Sequence, residues 1–235
     1  GNITNDSGLV SIRSNNGSIE QLSGGTAVSG NDLRFYAKTG IGTEGAPVNV
    51  ITGTGSFTAQ SDSGNISFQS LGGALRINQV STTGKVWLLG DEDIVGVNPN
   101  TVHVIGSRIQ LSAPRGGIGV FNADGTVLST LNIQTQDSSG GGITATAARG
   151  IALKQATGNL WVDQVATGGD VYLEAPGDLI DNNRNETRDT RAEAELDAVW
   201  KNLRLRESDG AADSLADALK AHRAGVDRDY REYWS

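Results

Sequence analysis

The chain has 235 residues, of which 37% are hydrophobic and 5% aromatic, with a net charge of −8 and no cysteine. The acidic balance argues against a nucleic-acid partner, no apolar run reaches the length of a membrane span, and disulfides and thiolate metal sites are excluded. We expect a fragment of a longer protein, because the chain has no methionine and opens in mid-pattern at Gly1-Asn2-Ile3.

A short pattern recurs along the chain: apolar, any, apolar, any, small, two of any type, then glycine. Its intervals of 23, 24, 29, 23 and 24 residues indicate one structural unit repeated at a nearly fixed period. The copies begin at Val10, Leu33, Phe57, Val86 (degenerate), Ile109 and Ile133.

The alternation inside the pattern predicts a strand with one buried face, and its closing glycine permits a sharp turn with positive φ. Residues 1–180 hold 30 of the 32 glycines, which disfavours helices there. A β-sandwich also has short strands at regular spacing, but a coil of roughly 24 residues favours a right-handed parallel β-helix with two or three strands per coil. The fold class is therefore all-β, with about seven or eight coils.

From Ile143 the spacing contracts, because the strand-like segments at Ile143 and Ile151 start only 8 residues apart. We interpret them as consecutive strands of the same coil, and we expect Leu160 and Val171 to open further strands.

Residues 181–235 differ in character, with 23 charged residues in 55 positions. A capping box at Thr190 and Glu193, followed by an apolar face, predicts a short C-terminal α-helical segment. Two roles stay open: a cap over the exposed strand edges, which the pattern favours, or a segment that binds another protein. The aromatic residues that would dock such a partner are Trp200, Tyr230, Tyr233 and Trp234.

Three groups carry possible chemistry, and each has a simpler interpretation. Asp91-Glu92-Asp93 could bind calcium or act in acid–base catalysis, but an exposed turn is favoured. The oxygen-rich residues of 178–186 resemble a calcium loop without its glycine, and a solvated linker is favoured. His103 and His222 are too far apart in the chain to suggest a dyad. We predict no catalytic residues, no metal site and no cofactor.

The outward positions of the pattern are mostly neutral, with hydroxyl and amide groups that could hydrogen-bond to sugars. No catalytic set emerges from them, although parallel β-helices also serve as polysaccharide lyases and hydrolases. These positions are Ser11, Arg13, Arg34, Tyr36, Thr58, Gln60, Trp87, Gln110, Ser112, Gln134 and Gln136.

The phrases at residues 33–50 and 109–119 resemble the repeats of filamentous-haemagglutinin-like large bacterial exoproteins. Asn98-Pro99-Asn100 is similar to a turn of two-partner secretion domains, although its surroundings differ. Across residues 1–180 the resemblance implies a secreted or cell-surface adhesin whose β-helix serves attachment or biofilm structure. Its partners would be neighbouring segments of the same long chain, a surface or matrix polysaccharide, or a protein bound through the C-terminal helices. The alternative is a carbohydrate-binding or polysaccharide-processing β-helix.

Overall fold

The computed structural model describes residues 3–22 and 26–182, which form strands, turns and bends without a helix. Among these residues no helix is long and apolar enough to cross a membrane. The predicted C-terminal helices, and the domain boundary expected near residue 180, lie at or beyond the end of the described residues and stay predictions.

Eighteen strands follow one another in the described ranges. They are β1 (Ile3–Ser14), β2 (Val28–Ala37), β3 (Val48–Thr52), β4 (Phe57–Ser61), β5 (Ile66–Ser70), β6 (Leu75–Ser81), β7 (Val86–Leu89), β8 (Ile94–Gly96), β9 (Val104–Ile105), β10 (Arg108–Ala113), β11 (Val120–Phe121), β12 (Val127–Ser129), β13 (Leu131–Gln134), β14 (Gly142–Ala147), β15 (Ile151–Gln155), β16 (Leu160–Thr167), β17 (Val171–Glu174) and β18 (Leu179–Asp181).

Strand pairing runs between coils, along two columns of strands. The first column is β2-β4-β6-β9-β13-β15-β17, and the second is β2-β3-β5-β7-β10-β14-β16-β18. The long strand β2 belongs to both, because Val28–Gly30 pairs with β3 and Leu33–Ala37 pairs with β4. Every one of these pairs is parallel, whereas the inserted hairpin β11–β12 is antiparallel.

After β2 the chain alternates between the two columns, so each circuit adds one strand to each. The described residues therefore form an all-β parallel β-solenoid of about 8 turns, as the repeat predicts. Paired residues are 20 positions apart between Phe57 and Ile77 but 34 apart between Ile109 and Ile143, where the hairpin is inserted. The right-handed sense of the coil stays a prediction.

Inward side chains of both columns fill a continuous apolar interior. Every predicted outward position is at least partly exposed, whereas the apolar positions of the pattern are buried or packed against the core. The widest side chains meet near the N-terminal end, where the rings of Phe35, Phe57 and Phe68 lie 4.7 to 5.9 Å apart between centroids. The strands at Ile143 and Ile151 are consecutive along the chain, as predicted, and lie in different columns.

The six copies of the repeat do not occupy equivalent places, which differs from a simple stack of one unit. Leu33 and Phe57 are lateral partners in the first column, and Val10 on β1 pairs with Leu33 from the outer side of β2. Val86 and Ile109 are partners of each other in the second column, and Ile133 lies in the first again. The pattern therefore encodes an inward-facing strand followed by a corner, and either column can supply it.

Glycine at the corners serves two different purposes. Gly64 has φ of +81°, the left-handed conformation that the pattern predicts. At Gly116, φ is not positive, so that prediction is wrong there: a side chain would instead overlap the backbone of Glu92 in the preceding coil. Close approach of coils, as much as turn geometry, therefore selects glycine.

Gly84 allows this second requirement to be tested alone, since its φ is not positive and a Cβ would overlap the carbonyl of Gly64. We expect Gly84→Ala to lower the free energy of unfolding by about 1–3 kcal/mol, the usual cost of overpacking, measured from the urea midpoint. The matched control is Gly72→Ala, where a Cβ would have no neighbour within 4 Å. Equal midpoints for the two variants would contradict the steric argument.

Candidate functional site

The four aromatic residues predicted to dock a partner, Trp200, Tyr230, Tyr233 and Trp234, lie outside the described residues, as does His222. The docking role of this segment stays a prediction. The candidate surfaces below belong to the solenoid itself.

The acidic cluster Asp91-Glu92-Asp93 lies in the bend between β7 and β8, in agreement with the predicted turn. Two of its carboxylates pair with arginines from later coils: Asp91 with Arg115, and Asp93 with Arg149 at 2.7 Å. Asp93 also accepts the backbone N–H of Gly117 at 2.7 Å. These partners could not be predicted from the sequence, because they are 24 and 56 residues away along the chain. The cluster joins neighbouring coils.

Asn182, in the described part of the oxygen-rich junction, makes hydrogen bonds to earlier coils. Asn182 is buried, and its amide Nδ2 donates to the carboxylate of Asp163 at 2.8 Å and to the carbonyl of Gly141 at 3.2 Å. Asn183, Asn185 and Glu186 lie outside the described residues. Within residues 3–22 and 26–182, no group of three His, Cys, Asp or Glu side chains is placed to hold a metal ion.

His103 is fully buried and locks the loop that contains the Asn-Pro-Asn turn. Its Nδ1 accepts the backbone N–H of Asn132 at 3.0 Å, and its Nε2 lies 2.8 Å from the carbonyl of Asn98. These partners define a neutral ring that is protonated on Nε2. The side chain of Asn132 donates to the carbonyls of Pro99 and Thr101, at 2.8 and 3.0 Å. His103 therefore has a structural role in this loop.

Burial lowers the pKa of His103, an effect that the hydrogen bond to Asn98 only partly opposes. The pKa values of several carboxylates on the outer surface are lowered, which favours their charged form. The hydrogen bond from Lys38, aided by one from Tyr36, lowers the pKa of Asp62, and the bond from Lys154 lowers the pKa of Glu174. Since both lysines come from the adjacent coil, these ion pairs span neighbouring coils.

A second link between coils was missed at the sequence level. Asn or Asp side chains at the corners accept a backbone N–H one coil later: Asp32 from Ser56 at 2.7 Å, and Asn65 from Lys85 at 2.9 Å. Asn159 accepts from Asp178 in the same way, at 2.7 Å. The signal was present in the Gly-Asx-apolar phrases that begin at Gly64, Gly158 and Gly177.

One depression on the outer face of the second column contains groups without such partners. We call it the Trp87 groove; it has a volume of about 160 Å³. Its lining is Glu44, Lys85, Val86, Trp87, Arg108, Gln110 and Thr144. Trp87, Gln110 and Thr144 are lateral partners on β7, β10 and β14 and therefore form one row.

The sequence identified Trp87 and Gln110 as outward residues but missed the rest of this groove. Lys85 and Arg108 immediately precede the paired residues Val86 and Ile109, so they begin adjacent strands side by side. Glu44 comes from a loop three coils away from Gln110 and could not be placed by the pattern. Alignment of Val86, Ile109 and Ile143 as lateral partners would have revealed the shared row.

A second, larger depression of about 600 Å³ lies beside the hairpin β11–β12. Leu128, Tyr172 and Glu174 contribute to its lining, and the first two are 65% and 39% exposed. Its polar groups already pair with one another, because the Tyr172 hydroxyl donates to Glu174 at 2.8 Å and Lys154 lies 2.6 Å from the same carboxylate group.

Comparisons of the chain with protein-family models, with curated proteins and with solved structures found no match. The geometry described above is therefore the basis for what is proposed about function.

The neutral His103 ring predicts a specific pH dependence of stability. Because the folded protein lowers the pKa of this group below its ordinary 6.5, the unfolded chain binds the proton more readily. The free energy of unfolding should therefore be constant above that value and decrease as the pH falls below it. Urea midpoints measured between about pH 8 and pH 5 check this.

The variant His103→Gln should abolish this decrease, whereas the control variant His222→Gln should retain it. A wild-type midpoint that does not change across the same range would contradict the assignment of a neutral, buried ring.

Proposed function

We propose that this chain is a non-enzymatic structural segment of a secreted or cell-surface bacterial adhesin or matrix fibre, with a role in attachment or biofilm structure. The observation that carries the proposal is the repeated linkage of successive coils, in the backbone, in the interior and on the outer surface. Each coil buries its apolar face on its neighbours, so the fold extends by repetition. The resemblance of residues 1–180 to large exoprotein repeats supports the same role.

The chemistry of the outer carboxylates supports a structural role over acid–base catalysis. A general acid or base works best with a pKa near the operating pH. Asp62 and Glu174 have their pKa values lowered by hydrogen-bonded lysines, which favours permanent ion pairs. Asp91 and Asp93 are held by arginines in a similar arrangement.

Carbohydrate binding is the second candidate function, and the Trp87 groove favours it. An aromatic ring beside free amide and hydroxyl groups offers an apolar face and hydrogen-bonding groups in one place. Polysaccharide processing would be a further step that the groove does not specifically support. Binding of another protein through residues 181–235 is a separate proposal that rests on the sequence alone.

Surface location gives the direct test of the leading proposal. Antibodies raised against the purified 235-residue chain should label intact cells that express the parent gene as strongly as permeabilised cells. A known cytosolic protein of the same cells serves as the control and should be labelled only after permeabilisation. Labelling of this chain only in permeabilised cells would overturn a surface or secreted role.

The non-enzymatic part of the proposal needs its own measurement. We expect the purified chain to release no reducing ends from alginate, pectin or host glycans above the level of the heat-denatured chain. Reproducible release that depends on folded protein would overturn it in favour of polysaccharide processing.

A further inference from the structure

We propose that the Trp87 groove binds a carboxylated sugar unit of an acidic polysaccharide. This inference deepens the carbohydrate-binding candidate and rests on it. The groove combines a ring, neutral hydrogen-bonding groups and a lysine, and these match the face, the hydroxyls and the carboxylate of such a sugar.

The ring is held in a fixed position by the solenoid. Trp87 lies on β7 between the inward residues Val86 and Leu88, which are 0% and 2% exposed. Its lateral neighbours are Ser67 on one side and Gln110 on the other. Because the strand is anchored from within, the partly exposed indole forms a rigid platform, which reduces the entropy lost on binding.

The hydrogen-bonding groups in the groove are not used by the protein. In the described part of the chain, the indole N–H of Trp87, the amide of Gln110 and the hydroxyl of Thr144 have no hydrogen-bond partner. The next outward row behaves differently, since the hydroxyls of Ser112 and Thr146 bond to each other at 3.1 Å. The groove is therefore a local interruption of the pairing between coils.

The charge of the groove favours an anion. The ammonium group of Lys85 lies 5.9 Å from the centre of the Trp87 ring and has no carboxylate within 4.0 Å among the described residues. Arg108 is shared, with Asp163 at 3.5 Å and the carbonyl of Gly141 at 3.3 Å. Residues 1–182 carry fifteen acidic and nine basic side chains in total, so an unpaired lysine next to an arginine is a local exception.

The size of the groove fits a single sugar unit. Its volume of about 160 Å³ is several times the roughly 30 Å³ share of one water molecule in the liquid. The carboxylate of Glu44, which also lines the groove, can accept hydrogen bonds from sugar hydroxyls. The larger depression beside Tyr172 is less suited to recognition of an anion, because its lining contains a glutamate and no lysine or arginine, and Glu174 is already paired with Tyr172 and Lys154.

The test compares oligogalacturonate with its methyl ester, which has the same sugar backbone but no charge. Calorimetric titration of the whole chain should show binding of oligogalacturonate that weakens as salt is added, and weaker binding of the ester. Sulfated dextran forms a third arm, in which tighter binding than for oligogalacturonate would assign the groove to sulfate and overturn the carboxylate preference.

Three variants locate the binding site. Trp87→Ala should weaken binding of oligogalacturonate at least about tenfold, as expected for a central aromatic contact. Lys85→Gln should weaken it about two- to fivefold and remove most of the preference over the ester. The matched control is Trp161→Ala on the same column, whose indole already donates to Asp137 at 3.1 Å and which should bind as the wild type does.

Circular dichroism and urea midpoints establish that each variant is folded. If Trp87→Ala does not fold, Lys85→Gln and Gln110→Ala decide the result, because both side chains are exposed and make no intramolecular ion pair or hydrogen bond in the described residues. Wild-type binding that no groove variant weakens would overturn this site but leave carbohydrate binding intact. No binding of any saccharide by the wild type would overturn both.

Discussion

The close approach of successive coils is the constraint on which the rest of this structure depends. Parallel strands pair only when their backbones lie about 4.8 Å apart, and in a solenoid every corner must keep the same spacing as the strands. At Gly64, Gly84 and Gly116 a side chain would overlap the neighbouring coil. Close approach of neighbouring coils therefore explains the glycine at these three corners.

Once the spacing between coils is set, contacts in the interior and on the surface both join coils that are close together in the stack. Inside, a polar residue is tolerated where its own coil and the preceding one satisfy it. Gln155 is fully buried; it donates to the carbonyls of Thr157 and Asn159, at 3.1 and 3.3 Å, and its side-chain oxygen accepts the backbone N–H of Thr135 at 3.3 Å. Outside, Lys38 and Asp62 pair across one coil. Since contacts between coils reach only one coil on, as from Lys38 to Asp62, or two coils on, as from Asp93 to Arg149, insertions such as the hairpin β11–β12 are accommodated without disturbing the stack.

The sequence predicted the class of fold because period-two alternation and a fixed repeat are local signals. The lateral register of the strands was harder to predict. Val86 and Ile109 continue the sequence pattern of Phe57, yet they lie in the second column and Phe57 lies in the first. A repeat shows that strands recur but does not show on which face they fall when the interval changes to 29 residues. Partners of Asp91 and Asp93 could not be predicted for the same reason, since register decides which arginine reaches them.

The candidate groove illustrates how a repetitive surface can acquire specificity. Where outward residues of adjacent coils complement one another, as Ser112 and Thr146 do, the surface satisfies itself and offers little to a ligand. At Trp87 beside Gln110, in contrast, the two side chains make no hydrogen bond to each other, and their polar groups stay available. A binding site on a solenoid can then arise where outward side chains of adjacent coils do not pair with one another. The paired strands that carry these side chains still hold them in place.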